Sequence, residues 1–528
     1  MAVMASIPKT IGQLGEANVE GWVVENSKWL TQVLDKHTAI LQEQEVEKYQ
    51  AAYDGKIESI DLRDKAKGDD TNNKLHANVA QLIIDTVVDY LIAKQPIYTV
   101  EDDTQQDKDT KEADLVTEYR KELMGILQTE KAQLVLAEWL RQGSIAGYGV
   151  VIAWVDENGE IDFDEFPIQE AIPVYDTRGR LRLLVRRYDI EAEDEGRIKT
   201  ITKLEIYDEK YITYLISNEA GDGFTLDPDE SATGNPIEHK AGRIPASIFI
   251  NGAAATYETR LKRAGTSDLG NGVYSLLEAY AHALSDKANL ASYLQDQYLL
   301  LKGVDTDEKE VVKMRKARAL ALKSKDSDAS FIAQSQEDMA VENYLKRLLD
   351  TIYDVTFTPK VNDLNGATAT EIKMKYAPLD IKAGKKEVFF IVAIKQLVTV
   401  LTDLLNAKKL GKEAHDVLAD KEKLEARQDL YKASWFKLSL NRNLPQNYKE
   451  IADIVALLSG KVADSYLIEL LWFIDDPIKA LAEMKAQKLA DAKMNMASMG
   501  YDGEFTDTGT DEGDVDDKDG TNGTKVEV

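Results

Sequence analysis

Apolar residues recur at helical spacing over most of the first 145 positions, in residues 15–53, 73–96 and 109–145. Pro96 ends the second of these patterns because proline cannot donate the backbone hydrogen bond that a helix interior needs. The N-terminal region is therefore predicted to be mainly helical. The stripe in the second pattern consists of Val79, Leu82, Ile83, Thr86, Val87, Tyr90 and Leu91.

The hydrophobic period changes to two between Gly147 and about Leu215. Short β-type runs follow one another there, separated by turn sequences such as residues 156–159. The runs are YGVVIAWV, IDFDEF, LRLLVRRYDI, KLEIYD and YITYLI. They predict a small meandering antiparallel sheet inside a mainly helical chain, so the expected fold class is α+β.

Two long amphipathic helices are predicted at about 271–300 and 337–356, the first with Ser267 as its N-cap. They flank a basic excursion, and together they predict a hairpin with a tip. A turn-rich loop follows at 357–366. The loop residues of interest are Thr358, Pro359, Lys360, Val361, Asn362, Asp363, Leu364, Asn365 and Gly366.

A further helix is predicted from Ala367, with Glu371 and Lys375 on one face. Pro378 should kink this helix, since proline removes one hydrogen bond and clashes with the preceding turn. By spacing alone, an ordinary helix–loop–helix in a bundle fits this region as well as a specialised projecting loop does.

The C-terminal part is predicted to contain an amphipathic stripe from Val388 to Leu405 and three helices within 446–497. Apolar content falls sharply after Met499. The tail from Tyr501 to Val528 carries ten acidic and two basic residues, and such a segment buries too little apolar surface to fold. It is predicted to be disordered.

The 528 residues carry a formal charge of −28 and include no cysteine. The cysteine count excludes disulfides and thiolate metal sites and fits a reducing cytosol. The negative charge argues against a conventional DNA-binding protein but fits a passage whose wall repels DNA; solubility alone also explains it. No window approaches the roughly 18 apolar residues of a membrane span, and the N-terminus lacks a secretory signal, so a cytoplasmic protein without a membrane partner is expected.

Recognisable catalytic or metal-binding patterns are absent from the sequence. The five histidines lie far apart, and no phosphate-binding G-x-x-x-x-G-K-[ST] motif occurs. The acidic run near Gly520 resembles a calcium loop, but Val515 and Val526 occupy the positions where carboxylates are needed. The protein is therefore expected to be no enzyme and to hold no metal or cofactor.

Eight sequence segments, in order along the chain, resemble those of the siphovirus-type portal proteins of tailed bacteriophages, over about residues 40–497. They are AAYDGK (51–56), NKLHANVAQLIIDTVVDYLIAKQP (73–96), IAGYGVVIAWVDENGEIDF (145–163), GRIPASIFIN (242–251), TSDLGNGVYSLLEAYAHALSD (266–286), LLLKGVD (299–305), NGATATEIKMKY (365–376) and NLPQNYKEIADIVALLSGKVADSYLIELLWFIDDP (443–477). Each segment is weakly specific, and their shared order makes the resemblance more specific.

The resemblance implies a homo-oligomeric ring, typically of twelve subunits, at one vertex of the virion capsid, assembled in the host cytoplasm. Its implied partners are double-stranded DNA in the channel, the terminase large subunit, a head-completion adaptor, and capsid and scaffolding proteins. The implied parts are a wing (1–265), a stem helix (266–303), a clip (304–335), a second stem helix (336–356), a tunnel loop (357–366), a kinked tunnel helix with a return to the wing (367–445), a crown (446–498) and an acidic tail (499–528).

The resemblance also assigns candidate site residues. The loop would line the narrowest part of the channel, and Lys360, Lys373 or Lys375 would make transient phosphate contacts; the last two could equally pair with carboxylates of a neighbouring subunit. Glu371 and Pro378 belong to the same tunnel helix. Basic residues of the clip would dock an acidic partner or would simply form a solvated face. These are Lys313, Arg315, Lys316, Arg318 and Lys323.

Two other functions compete with the portal interpretation. One is a scaffold or adaptor of a large assembly through which no DNA passes. The other is a nucleic-acid enzyme that uses no ATP, and the sequence lacks the carboxylate spacing that such an enzyme would need.

Overall fold

The structure is a computed structural model. It describes residues 3–4, 8–15, 18–43, 45–64, 71–101, 110–176, 178–194, 197–218, 223–231, 234–252, 265–295, 298–302, 309, 312–313, 328–332, 338–360 and 369–442, with short pieces between 455 and 490. The chain divides into two units, residues 1–445 and 446–528. In the second unit the described helical residues are 455–458, 467–468, 481, 483–487 and 490. Most of the three predicted C-terminal helices, and the tail, lie outside the described residues.

The helices of the first unit are α1 (Ile11–Leu14), α2 (Val19–Glu43), α3 (Val46–Tyr53), α4 (Glu58–Asp61), α5 (Val79–Ile92), α6 (Thr110–Leu127), α7 (Glu130–Ala146), α8 (Pro228–Ser231), α9 (Val273–Gln295), α10 (Asp338–Thr356), α11 (Ala369–Leu410), α12 (Ala414–Leu418) and α13 (Lys421–Ala426). Short 3-10 turns lie at Gly411–Glu413 and Ala433–Trp435.

The strands are β1 (Val3–Met4), β2 (Ile97–Val100), β3 (Tyr148–Val155), β4 (Ile161–Phe166), β5 (Ala171–Tyr175), β6 (Leu181–Asp194), β7 (Arg197–Tyr207), β8 (Tyr211–Ser217), β9 (Phe224–Leu226), β10 (Ile237–Glu238), β11 (Ala246–Ile250), β12 (Tyr298–Lys302), β13 (Asp328–Ile332) and β14 (Phe436–Ser439). The described part of the chain is thus mainly helical with small, mostly antiparallel sheets, which confirms the predicted α+β class.

Two of the predicted N-terminal helices are divided in the structure. The helix expected over 15–53 breaks at Glu45, whose φ of 53° lies in the left-handed region. The helix expected over 109–145 breaks at Thr129, whose side chain accepts a hydrogen bond from the Ala132 amide and so caps α7. A single polar cap can therefore start a new helix without interrupting the apolar pattern on either side.

The five predicted strand runs all form strands, but the prediction that they form one meandering sheet was wrong. β3 lies between β4 and β11 in a separate three-stranded sheet, and β5 to β8 form the meander of a seven-stranded sheet in which β1 pairs with β5 in parallel. β11, which lies outside the predicted runs, takes the second edge of β3, and β6 pairs with β5 and β7 rather than with β4.

The largest core of the first unit surrounds helix α11, which we call the proline helix because it contains Pro378. Trp139, Phe249 and Phe390 pack edge to face in this core, with ring centroids 5.1–6.5 Å apart. Gly143 lies against Phe249, and a Cβ atom there would come within 2.3 Å of the ring. This glycine is therefore required for the close approach of α7 to the aromatic cluster.

The two long helices of the predicted hairpin are α9 and α10, which pack against each other. The expected extension of the first helix to about residue 300 was wrong, because Tyr298–Lys302 pairs with Asp328–Ile332 as an antiparallel ribbon. Ser267 was also misassigned as the N-cap. Its hydroxyl accepts from the Leu269 amide in a turn, and α9 begins only at Val273.

The proline helix is continuous from Ala369 to Leu410, about 63 Å at 1.5 Å per residue. Pro378 lies inside it, and the expected kink stays a prediction. Within Glu371–Leu418 an 18-residue window reaches a mean hydropathy of 2.0. This segment is therefore long and apolar enough to resemble a membrane span in composition, and the expectation that no window approaches one was wrong. Charged residues are sparse there because 61% of that window is buried inside the fold, as in the core helix of a soluble protein.

Candidate functional site

The predicted channel loop leaves the end of helix α10 through a strained turn. Phe357 has a φ of 57°, in the left-handed region that glycine normally occupies at this position. Its amide donates to the Asp354 carbonyl at 3.4 Å, and the next amide, of Thr358, donates to the Tyr353 carbonyl at 3.0 Å. These two bonds form a Schellman motif, which satisfies carbonyls at the helix end and fixes the direction in which the loop begins.

Side chains reinforce this helix end. The hydroxyls of Thr356 and Thr358 lie 2.9 Å apart and are both buried. Thr358 therefore belongs to the anchored base of the loop, whereas the side chain of Phe357 is partly exposed. A non-glycine residue in the left-handed region costs about 1–2 kcal/mol and persists where the surroundings fix it.

Lys360 folds back onto helix α10. Its ammonium lies 2.8 Å from a carboxylate oxygen of Asp350 and 3.5 Å from one of Asp354. The hydrogen bond to Asp350 is the main cause that raises the pKa of Lys360 above its ordinary value. Within one subunit this lysine is therefore a paired cation rather than a free one.

Lys382 joins the proline helix to the same helix end. Its ammonium donates to the Thr356 carbonyl at 3.2 Å and lies 3.2 Å from a carboxylate oxygen of Asp268. A cation at the C-terminus of a helix is stabilised by the partial negative charge of the unpaired carbonyls. Asp268 lies in the turn that leads into α9, so one lysine contacts the start of one long helix and the end of the other.

Lys386, one turn further along the proline helix, is almost completely buried. It donates to the same carboxylate of Asp268 at 2.9 Å and to the Ser144 hydroxyl at 2.7 Å. Asp268 also accepts from the Asn251 side-chain amide at 2.9 Å. We call this set the lysine junction; it consists of Ser144, Asn251, Asp268, Thr356, Lys382 and Lys386.

The electrostatics of the lysine junction are unusual, because two ammonium groups share one buried carboxylate. Burial lowers the pKa of Lys386 to about 8, although the charge of Asp268 opposes the shift. Burial alone would raise the pKa of Asp268, but the charges of Lys382 and Lys386 hold it well below its usual range. The junction therefore keeps its carboxylate ionised, and it connects α7, the end of β11, the start of α9 and the end of α10 to the proline helix.

A second polar cluster holds the proline helix beside Pro378. The Tyr90 hydroxyl donates to Asp380 at 2.9 Å, and its ring stacks on Tyr376 with centroids 6.5 Å apart. Arg442 bonds to Asp380 and, at 2.6 Å, to Glu387. Since Pro378 has no amide hydrogen to donate, these contacts replace part of the restraint that the missing backbone bond would give.

Residues 32–494 match the model of the family described as phage portal protein, SPP1 Gp6-like. The chain belongs to this family. The predicted resemblance is thereby confirmed, and with it a place among bacteriophage head–tail connector proteins.

Two individual proteins illustrate how distant the relatives of this portal-family chain are. The portal protein of Bacillus phage SPP1 is 22% identical over 442 residues, which cover 80% of this chain and 78% of that protein. A chain of the solved structure "Neck of empty GTA particle computed with C6 symmetry" is 13% identical. The match covers 74% of this chain and 89% of that chain, with a TM-score of 0.40.

The structure places the predicted site residues in several environments. In the loop, Thr358, Pro359 and Lys360 are described, whereas residues 361–366 lie outside the described residues. Glu371, Lys373, Lys375 and Pro378 are exposed on the proline helix. In the basic run, Lys313 is exposed, and Arg315, Lys316, Arg318 and Lys323 lie outside the described residues. The channel and docking roles of all these residues stay predictions.

Sequence reasoning missed the lysine junction, although a signal was present. Lys382 and Lys386 fall on the same helical stripe as Leu379, Ala383 and Phe390, which are all buried. Two lysines on a buried stripe indicate a buried acidic partner, because unpaired charges are too costly inside a protein. Within the described ranges, no three acidic or imidazole side chains come close enough together to hold a metal ion.

Proposed function

We propose that this chain is the subunit of a homo-oligomeric ring, of about a dozen copies, at one vertex of a phage capsid. Double-stranded DNA passes through the ring during packaging and ejection. The family match over residues 32–494 supports the portal role. The observation that carries the channel proposal is the lysine junction, which provides a rigid base for the loop at 357–366.

A loop that contacts moving DNA needs a scaffold that does not move with it. Here the first residues of the loop are held by the Schellman motif, and Lys382 ties the carbonyl of Thr356 to Asp268. The loop therefore begins and ends on elements joined by buried ion pairs. Displacement of residues 361–366 by DNA would leave this base in place.

The charges near the loop suit transient contact. The pairing of Lys360 with Asp350 and Asp354 neutralises the cation closest to the start of the loop. Each further subunit adds its own charge of −28 to the ring. DNA is therefore held weakly, and Lys373 and Lys375, exposed near the start of the proline helix, add short-lived phosphate contacts.

The other parts of the subunit take the roles expected from the family. Residues 1–265 and the return within 367–445 form the wing, α9 and α10 the stem, 304–335 the clip and 446–498 the crown. The pairing of β12 with β13 supports the clip assignment, because Lys302 and Asp328 lie opposite each other at the two ends of the intervening segment. The basic residues of the clip dock the terminase large subunit during packaging and a head-completion adaptor afterwards. Capsid and scaffolding proteins surround the wing, and assembly takes place in the host cytoplasm.

The test is a deletion of Asn362–Gly366, compared with a deletion of five tail residues, 510–514. Both variants should form rings that are indistinguishable from wild type by negative-stain microscopy. Only the loop deletion should reduce the amount of DNA packaged or retained per capsid. Normal packaging by the loop variant would refute the channel role of the loop. Wild-type rings that assemble into particles which never contain DNA would favour the competing scaffold function.

A further inference from the structure

Four apolar side chains on the proline helix are exposed although the rest of that helix lies largely in the core. Met374, Ile381, Val388 and Val392 are 73%, 58%, 62% and 52% exposed. They are separated by seven, seven and four positions, so at about 100° per residue they lie within roughly 40° of one another. They form a straight stripe about 27 Å long, which we call the apolar seam.

Single exposed apolar residues are common on protein surfaces, but an aligned row of them indicates a contact surface. Seven-residue spacing of apolar side chains is the pattern with which helices pack against one another. A membrane does not account for the seam, because the opposite face of the same helix is occupied by the protein core.

The charges beside the seam are positive. Lys385 lies within the stripe, between Ile381 and Val388, and Lys395 lies at its edge; both are exposed. The acidic residues of this stretch, Asp380 and Glu387, point to the other side, where they bind Arg442. The complementary surface must therefore be apolar with acidic neighbours.

The chain itself carries such a surface. Tyr344 and Val355 are exposed on helix α10, and Asp354, which is exposed although Lys360 approaches it to 3.5 Å, lies beside Val355. More generally, acidic residues outnumber basic ones in this chain by 93 to 65, so a second copy presents a net negative charge to the lysines of the seam. Charge complementarity thus favours a second copy of the same chain as the occupant.

We propose that the apolar seam is covered by a neighbouring copy of this chain, so that the proline helix forms part of the contact between subunits. The proposal rests on the proposed ring and assigns one of its interfaces. DNA is a poorer match for the seam, since a phosphate backbone could pair with Lys385 and Lys395 but gains nothing from the four apolar side chains. Every subunit carries the seam, and in a ring every subunit has a neighbour to cover it.

The first test introduces charge into the seam. The double variant Ile381→Glu/Val388→Glu is compared with Val24→Glu/Leu134→Glu, whose two positions are similarly exposed, at 76% and 62%, on other helices. Light scattering after size exclusion should show the seam variant as monomers or small oligomers with wild-type circular dichroism, and the control as rings. Rings of the seam variant with wild-type yield and stability would overturn the proposal.

The second test is independent of any folding defect and uses the absence of cysteine from the chain. The thiol of the Val388→Cys variant should react with a maleimide at least tenfold more slowly in rings than in dissociated subunits. The thiol of the Val24→Cys variant should react equally fast in both. An equally reactive thiol at 388 in rings overturns the seam proposal, as does protection that appears only when DNA or another protein is added. A wild-type chain that never forms rings would overturn both this inference and the proposed function.

Discussion

Lys386 and Val388 are two residues apart on the proline helix, yet they lie in opposite environments. The lysine is buried against Asp268 and Ser144, and the valine is 62% exposed. Two positions correspond to about 160° around a helix, so the two side chains mark opposite faces. At these two positions the arrangement is the reverse of that in an ordinary amphipathic helix, in which charges face water and apolar groups face the core.

The two faces of the proline helix serve different contacts. Buried ion pairs add little net stability, but they are sensitive to geometry and favour one arrangement of the elements that they join. The inner face therefore fixes the base of the loop within one subunit. The outer face lacks an apolar partner among the described residues of the same chain, and we assign it to a neighbour.

Removing the shared carboxylate of the lysine junction should have the largest effect on stability. In the Asp268→Asn variant, Lys386 and Lys382 lose their shared carboxylate, and removal of one partner from a buried pair typically costs about 3–5 kcal/mol. Urea denaturation should show a loss of this size. The matched variant Asp286→Asn removes an exposed pair with Arg63 and should cost below about 1 kcal/mol. Equal effects of the two substitutions would show that the junction contributes no more than a surface pair.

The pH dependence of stability should report the buried lysine. Because the pKa of Lys386 is lowered to about 8 in the folded chain, the unfolded chain retains this proton at higher pH than the folded chain. Between pH about 8 and about 10.4 the unfolded state thus binds more protons, and the stability contributed by this group rises with pH. The stability of wild type relative to Lys386→Met should increase over this range. If the difference in stability between the two proteins stayed constant or fell with pH, the pKa of Lys386 would not be lowered by burial.

The strained helix end should give an intermediate effect. Phe357→Gly removes the penalty of the left-handed conformation, whereas Phe357→Ala removes the ring and keeps the penalty. The glycine variant should therefore be more stable than the alanine variant by about 1 kcal/mol in urea denaturation. An alanine variant that is at least as stable would mean that Phe357 is not held in this conformation.

The smallest change in stability is expected for a substitution on the outer face of the proline helix, measured on dissociated chains. Val388→Ser should change the stability of dissociated chains by no more than about 0.5 kcal/mol, as for most surface substitutions. If it lowered their stability by more than about 2 kcal/mol, the seam would be packed inside the same chain. The contrast with Asp268→Asn would then disappear.

Local patterns in the sequence were sufficient for much of the fold. Alternation found β3, β4, β6, β7 and β8, and helical spacing found α5, α9 and α10. The strands β5 and β11 were not among the predicted runs. The division into two sheets depends on which strands pair with each other, and a local sequence pattern does not contain that information.

The candidate site was predictable to a smaller extent. The position of the loop followed from its turn residues and from the family resemblance. The junction did not, because Asp268 and Lys386 are 118 positions apart and their pairing is a property of the folded chain. The pairing of Lys360 with helix α10 was likewise invisible in a sequence that places several acidic residues nearby.

We propose that copies of this chain form a ring with the loop at its bore. Electron cryomicroscopy of the purified 528-residue protein would show the ring and the position of the loop in it. We expect closed rings of about a dozen subunits with an axial channel, and with residues 357–366 at the narrowest point of that channel. Monomers or dimers at high concentration, or rings that carry this segment on the outer rim, would contradict it.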